Sequence, residues 1–144
     1  MATNRPGRVS QEQRAAADTA LVSGLSGYVR AVADAIDVPV EATDFEVSDT
    51  ATAYLGLALR SARHPDHDLM LVWSERHGWV LAVETNPAEQ PAVLACLGTD
   101  LVPEPAKVAR FVTDTLAHFP QGEHLPPNLT VGRRQVGSLL ARYA

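Results

Sequence analysis

The stretch Asp68–Glu84, DLMLVWSERHGWVLAVE, constrains this chain most. Two apolar runs, LMLVW and WVLAV, flank SERHG, and both are rich in the aliphatic, β-branched and aromatic residues that suit a sheet. Gly78 can take the left-handed conformation that a tight hairpin turn needs. With Ser74–Gly78 as the loop, Trp73 falls opposite Trp79, Leu71 opposite Leu81 and Asp68 opposite Glu84. Runs this continuously apolar are expected where a hairpin lies centrally in its sheet and is covered on both faces.

The flanking sequence supplies the rest of a sheet and its helices. SQEQ at Ser10–Gln13 fits a capping box. Leu21, Leu25, Tyr28, Val29, Val32 and Ile36 then follow at spacings of three and four, the buried stripe of a helix. Gly24 and Gly27 at its centre mark either a bend or a close crossing by another segment, and Pro39 is expected to end it. Phe45 and Val47 alternate with Asp44, Glu46 and Ser48, as in a half-exposed strand. Residues 51–59 alternate like a strand but are rich in Ala and Leu. Strand is preferred, with Ser48-Asp49 as a two-residue turn. AVLACLG at 92–98 reads as a further short strand.

Pro103 or Pro105 fits the first turn of a second helix, where a missing N–H costs nothing. Its stripe is Val108, Phe111, Val112, Leu116 and Phe119, and Pro120 stops it. A last helix is expected from near Asn128 or Thr130, burying Val136, Leu139, Leu140 and Tyr143. Residues 1–9 are polar, carry Pro6-Gly7 and predict a disordered tail before one domain at 10–144. The fold expected is α+β: an N-terminal helix, an antiparallel meander of about five strands, and two C-terminal helices packed on the sheet.

Composition bounds the function. The 144 residues suit one domain. With 46% of them apolar, a core needs neither disulfides nor a structural metal. A net charge of −5 weighs against a nucleic-acid binder, which ordinarily shows a basic face. The lone cysteine, Cys96, excludes an internal disulfide, fits a reducing compartment, and reads as a small buried side chain. No apolar run approaches the roughly 20 residues of a membrane span, and the first residues lack the apolar stretch of a signal peptide. A cytoplasmic protein is expected, and eleven arginines against one lysine resemble a chain of a high-GC bacterium.

Candidate chemistry concentrates around the hairpin. His64, His67 and Asp68 in HPDHD are metal-ligand types, but they match no established ligand spacing. His77 lies at the other end of the hairpin, roughly 20 Å away along the strand, so it cannot join them. Asp68 and Glu84 would be opposed like charges that need water, a cation, Arg60 or Arg63 between them. No metal and no cofactor is therefore assigned. Trp73 and Trp79 with Arg76 and His77 form the candidate ligand or partner surface, since aromatic residues beside arginine are typical of interface hot spots. Arg133 and Arg134 offer a third reading, a DNA-contacting helix. The preceding helix ends about ten residues earlier, too far for a helix-turn-helix. No phosphate loop or nucleophile motif is present.

The segment PDHDLMLVWSERHGWVLAVE, preceded by TAYLGLAL and followed by LVPEPAKVARFV, resembles an uncharacterised domain family of actinobacteria known chiefly as a domain of unknown function. The resemblance covers about Tyr28 to Phe119 and implies a bacterial cytosolic protein with no assigned activity. In layout the chain is also similar to small secretion-chaperone-like α+β folds. The expectation from the residues is a non-enzymatic binding or regulatory module, a homodimer or bound to a protein partner. A small metal-binding protein or enzyme using HPDHD, and a DNA-binding regulator using Arg133 and Arg134, are the alternatives.

Overall fold

Five strands lie side by side in chain order in the computed structural model, which describes residues 11–61, 64–85, 92–98, 100–118 and 132–144. They are β1 (Thr43–Val47), β2 (Ala51–Gly56), β3 (Leu69–Ser74), β4 (Gly78–Val83) and β5 (Ala92–Leu97). Every neighbouring pair is antiparallel. Three helices accompany them: α1 (Gln11–Ala35), α2 (Pro105–His118) and α3 (Arg133–Leu140), which runs into a 3-10 turn at Ala141–Tyr143. The α+β meander is the expected fold. Ser10, Phe119, Pro120, Asn128, Thr130 and the tail at 1–9 lie outside the described residues.

The hairpin has the expected register. Trp73 pairs with Trp79 and Leu71 with Leu81, and the Glu84 N–H donates to the Asp68 carbonyl at 2.8 Å. Gly78 turns the chain with a φ of 71°. The strand reading of the segment from Ala51 also holds, as far as Gly56. The β1–β2 turn is longer than expected. Val47 pairs with Ala51, so Ser48, Asp49 and Thr50 all belong to it.

Alternation along the strands gives the sheet two unequal faces. On the inner face Leu55, Leu69, Leu71, Trp73, Trp79, Leu81 and Val83 have no exposed surface. They share one core with Leu21, Leu25, Tyr28, Val29 and Val32 of α1, Val108 and Val112 of α2, and Val136 and Leu140 of α3. The outer face carries half-buried Thr52, Tyr54, Met70 and Val72. Among the described residues the helices share a core with the inner face only, so the expected cover on both faces is half right. Val80 and Ala82 of β4, which is flanked by β3 and β5, are nevertheless buried.

Two local features depart from the sequence reading. Helix α1 stops before Pro39. Asp37 takes a left-handed conformation (φ 59°), the Val38 N–H reaches back to the Ala33 carbonyl at 2.8 Å, and Val38 and Ala33 are both buried. This is a Schellman cap with a non-glycine residue at its left-handed position. Helix α3 begins only at Arg133, and Leu139, expected in the core, is 40% exposed.

The glycines of α1 resolve as a close crossing. A Cβ on Gly24 would stand 2.9 Å from the Leu140 Cβ, and one on Gly27 would stand 1.6 Å from the Tyr143 carbonyl oxygen. The C-terminal turn therefore lies in a notch that only glycine leaves open. Beside it the aromatic rings meet. Tyr28 packs on Tyr143 with centroids 4.7 Å apart and on Trp79 at 5.9 Å. The Trp79 indole N–H donates to the Tyr28 hydroxyl at 3.0 Å, and that hydroxyl donates to the Pro103 carbonyl. The Trp73 indole donates to the Leu101 carbonyl at 2.7 Å. Burial pushes the Tyr28 phenol far above its ordinary range.

Two substitutions test this core by chemical denaturation. Gly to Ala inside a helix ordinarily stabilises by about 0.5–1 kcal/mol. Gly27→Ala should instead destabilise by about 1–3 kcal/mol, because the new methyl meets backbone that must move. Tyr28→Phe should cost about 2–4 kcal/mol, since it strands the Trp79 N–H and the Pro103 carbonyl in a dry interior at once.

Candidate functional site

The hairpin tip is not an aromatic surface. Trp73 and Trp79 point into the core and are fully buried, so no partner can touch them. Their positions share the inward parity of Leu69, Leu71, Leu81 and Val83, which is why the helices cover them. Of the four residues assigned to a partner surface, only Arg76 is exposed. His77 is half-buried, with its backbone N–H on Ser74 Oγ at 3.0 Å.

Next to the tip, Glu75 joins three elements. Its Oε1 accepts from the Ala51 N–H at 2.7 Å and from Arg133 Nη2 at 3.0 Å. Arg133 also donates to the Ser48 carbonyl and faces Asp18 at 3.5 Å. The Glu75 carboxylate is only 11% exposed, so this pair sits in a weakly screened setting and fastens α3 to the two β-turns. Arg133 is thus committed within the molecule, while Arg134 is exposed. An exposed recognition pair, as a DNA-contacting helix would need, does not form.

The HPDHD end is a turn held by Arg60. The guanidinium donates to Asp68 at 3.0 Å and to the Pro65 carbonyl at 3.0 Å, which supplies the cation that the Asp68–Glu84 pairing requires. The other candidate for that role, Arg63, lies outside the described residues. The His64 N–H caps on buried Ser61, and its Nδ1 lies 3.3 Å from Ser61 Oγ. His67 turns back through its N–H to the His64 carbonyl. Among the described residues no three His, Cys, Asp or Glu side chains gather closely enough to hold a metal ion. His64, His67 and Asp68 are therefore turn residues, each engaged locally, and their side chains do not converge on one point.

A different region carries the open surface. On the outer face one row runs across all five strands: Asp44, Tyr54, Val72, Val80 and Cys96. Cys96 is half-buried there, more open than the interior position its apolar neighbours suggest. The Tyr54 hydroxyl donates to Glu84 Oε1 at 2.8 Å and passes over Gly56, where a Cβ would stand 3.1 Å from it. Burial, followed by the bond to Glu84, pushes the Tyr54 phenol up to about 12. Between β1 and this ring lies a groove of about 190 Å³, lined by Asp44, Glu46, Thr52, Tyr54 and Val72. The sequence signal for it was available. Asp44 and Glu46 alternate with Phe45 and Val47, and Thr52 and Tyr54 with Ala51 and Ala53.

Residues 28–114 match a family of unknown function, DUF6292. The chain belongs to that family. The matched span starts at Tyr28, as the resemblance in sequence implied, and contains the whole sheet and most of α2. Gly24, Gly27 and α3 fall outside it. No curated protein and no solved structure matches the chain. No helix among the described residues is long and apolar enough to cross a membrane.

The Tyr54–Glu84 bond has a titration signature. Tyrosinate absorbance, compared with a Tyr54→Phe variant, should place Tyr54 near pH 12. Glu84→Gln should move it part of the way toward the ordinary value of about 10, because burial remains. A folded pKa above the unfolded one stabilises fully below about pH 10 and is lost as pH rises toward 12. The loss of stability between about pH 10 and 12 should accordingly be smaller in Glu84→Gln than in the wild type.

Proposed function

We propose that this chain is a non-enzymatic binding module that engages a protein partner through the outer face of its sheet. One observation carries the reading: three helices bury the inner face, while the outer face keeps an apolar row, Tyr54, Val72, Val80 and Cys96, with its side chains half-exposed at β2, β3 and β5. Apolar area of this kind on a folded domain is characteristic of interaction surfaces. The reading favours the sheet face over the hairpin tip, since the tip's aromatic rings are committed to the core. It also accords with a cytoplasmic bacterial protein acting by association, with itself or with another chain.

Cys96 is the only thiol in the sequence and lies on the proposed surface, so it can report occupancy. In affinity purification from the native host, the wild-type chain should retain a partner that slows maleimide reaction at Cys96 several-fold. Val72→Asp should lose that partner while remaining folded, as checked by circular dichroism below its melting temperature. A chain recovered alone as a monomer, or a partner retained equally by Val72→Asp, would sink the proposal.

A further inference from the structure

Resting on the outer face as the docking surface, we propose that the β1-side groove takes a lysine or arginine side chain from a cationic, apolar segment of the partner protein. The residues around the groove divide by chemistry. Val72 and the Tyr54 ring give an apolar floor, and Asp44 and Glu46 stand above it on the edge strand. Asp44 lies directly opposite Tyr54 and Glu46 opposite Thr52, so both carboxylates project on the same side, roughly 7 Å apart along the strand. Both are exposed, and among the described residues neither forms an ion pair. A long cationic side chain suits such a place. Its methylenes cover the apolar floor while the charged head reaches the carboxylates at the rim. Apolar residues on either side of it would then lie along Val72 and Val80.

Charge also selects against the other occupants. None of the five strands contains a lysine or arginine, so the sheet of a second copy offers no cation to Asp44 and Glu46. Strand addition along β1 is disfavoured too, because Asp44 Oδ1 already accepts the Phe45 N–H at 2.9 Å and charged residues guard that edge.

The test pans a random-peptide library displayed on phage against the full chain, then measures the selected peptides by fluorescence anisotropy. Enrichment of Lys or Arg next to apolar residues is expected, with amide shifts in NMR centred on 44–54 and 72. The double variant Asp44→Asn, Glu46→Gln should melt as the wild type does and bind these peptides about tenfold more weakly. Raising salt should weaken wild-type binding in the same direction, which keeps the test informative if the variant folds poorly. Selected peptides without basic residues, or with affinity indifferent to both salt and the double variant, would overturn the cation assignment. If those same peptides still failed on Val72→Asp, the outer face would stand as the docking surface. Shifts confined to the helices, or the same shifts arising from self-association or from the chain's own Arg5–Arg8 segment, would overturn the partner assigned here.

Discussion

The Tyr28 hydroxyl holds the molecule's elements in register with one another. It accepts from the Trp79 indole on the central hairpin and donates to the Pro103 carbonyl just before α2, and its ring supports Tyr143 at the C-terminus. Aromatic side chains of this size bury on the order of 150–250 Å² each, so their placement dominates the energy of a small core. Their polar atoms add direction. An indole N–H or phenol in a dry interior needs a partner, and the partners exist only where α1, the hairpin and the 101–103 segment meet in one arrangement. The notch at Gly24 and Gly27 lets the C-terminal turn close over that arrangement.

This core explains why the proposed docking surface lies elsewhere. The helices, the tryptophans and the tightest glycine contacts all belong to the inner side of the sheet. The Glu75–Arg133 and Arg60–Asp68 pairs fasten the two ends of the hairpin to neighbouring elements. Side chains that looked chemically available in the sequence are thereby spent on structure. The outer face carries the apolar row and the acidic groove, and the comparison with known proteins adds membership of a family of unknown function without an activity.

Much of the fold was legible because its determinants are local. The stripe of α1 from Leu21 to Val32, the alternation at Phe45 and Val47, and Gly78 within the hairpin each depend on residues close in sequence. The errors arose where packing, near or distant, decides. Pro39 looked like the end of α1, yet the chain turns at Asp37 because Val38 finds Ala33 and the core beneath it. Leu139 fits the period of α3 and still faces outward, because a helix of eight residues buries a narrow face, here Val136 and Leu140. Arg133 looked free because Glu75, 58 residues earlier, cannot be seen beside it in sequence.

The sequence by itself determined the strands, their meander order and the pairing of Trp73 with Trp79, since a two-residue period and a turn glycine set register within a few residues. It could not decide which side of β3 and β4 the helices would cover. Leu71 and Val72, or Val80 and Leu81, are apolar alike, so hydrophobicity alone separates the two faces poorly, although Leu69, Leu71 and Trp73 make one of them bulkier. Only the tertiary structure chose, by docking α1, α2 and α3 on the side with the bulkier set, where the tryptophan N–H groups also find acceptors. That choice made the tryptophans core and left Asp44, Tyr54 and Val72 facing outward.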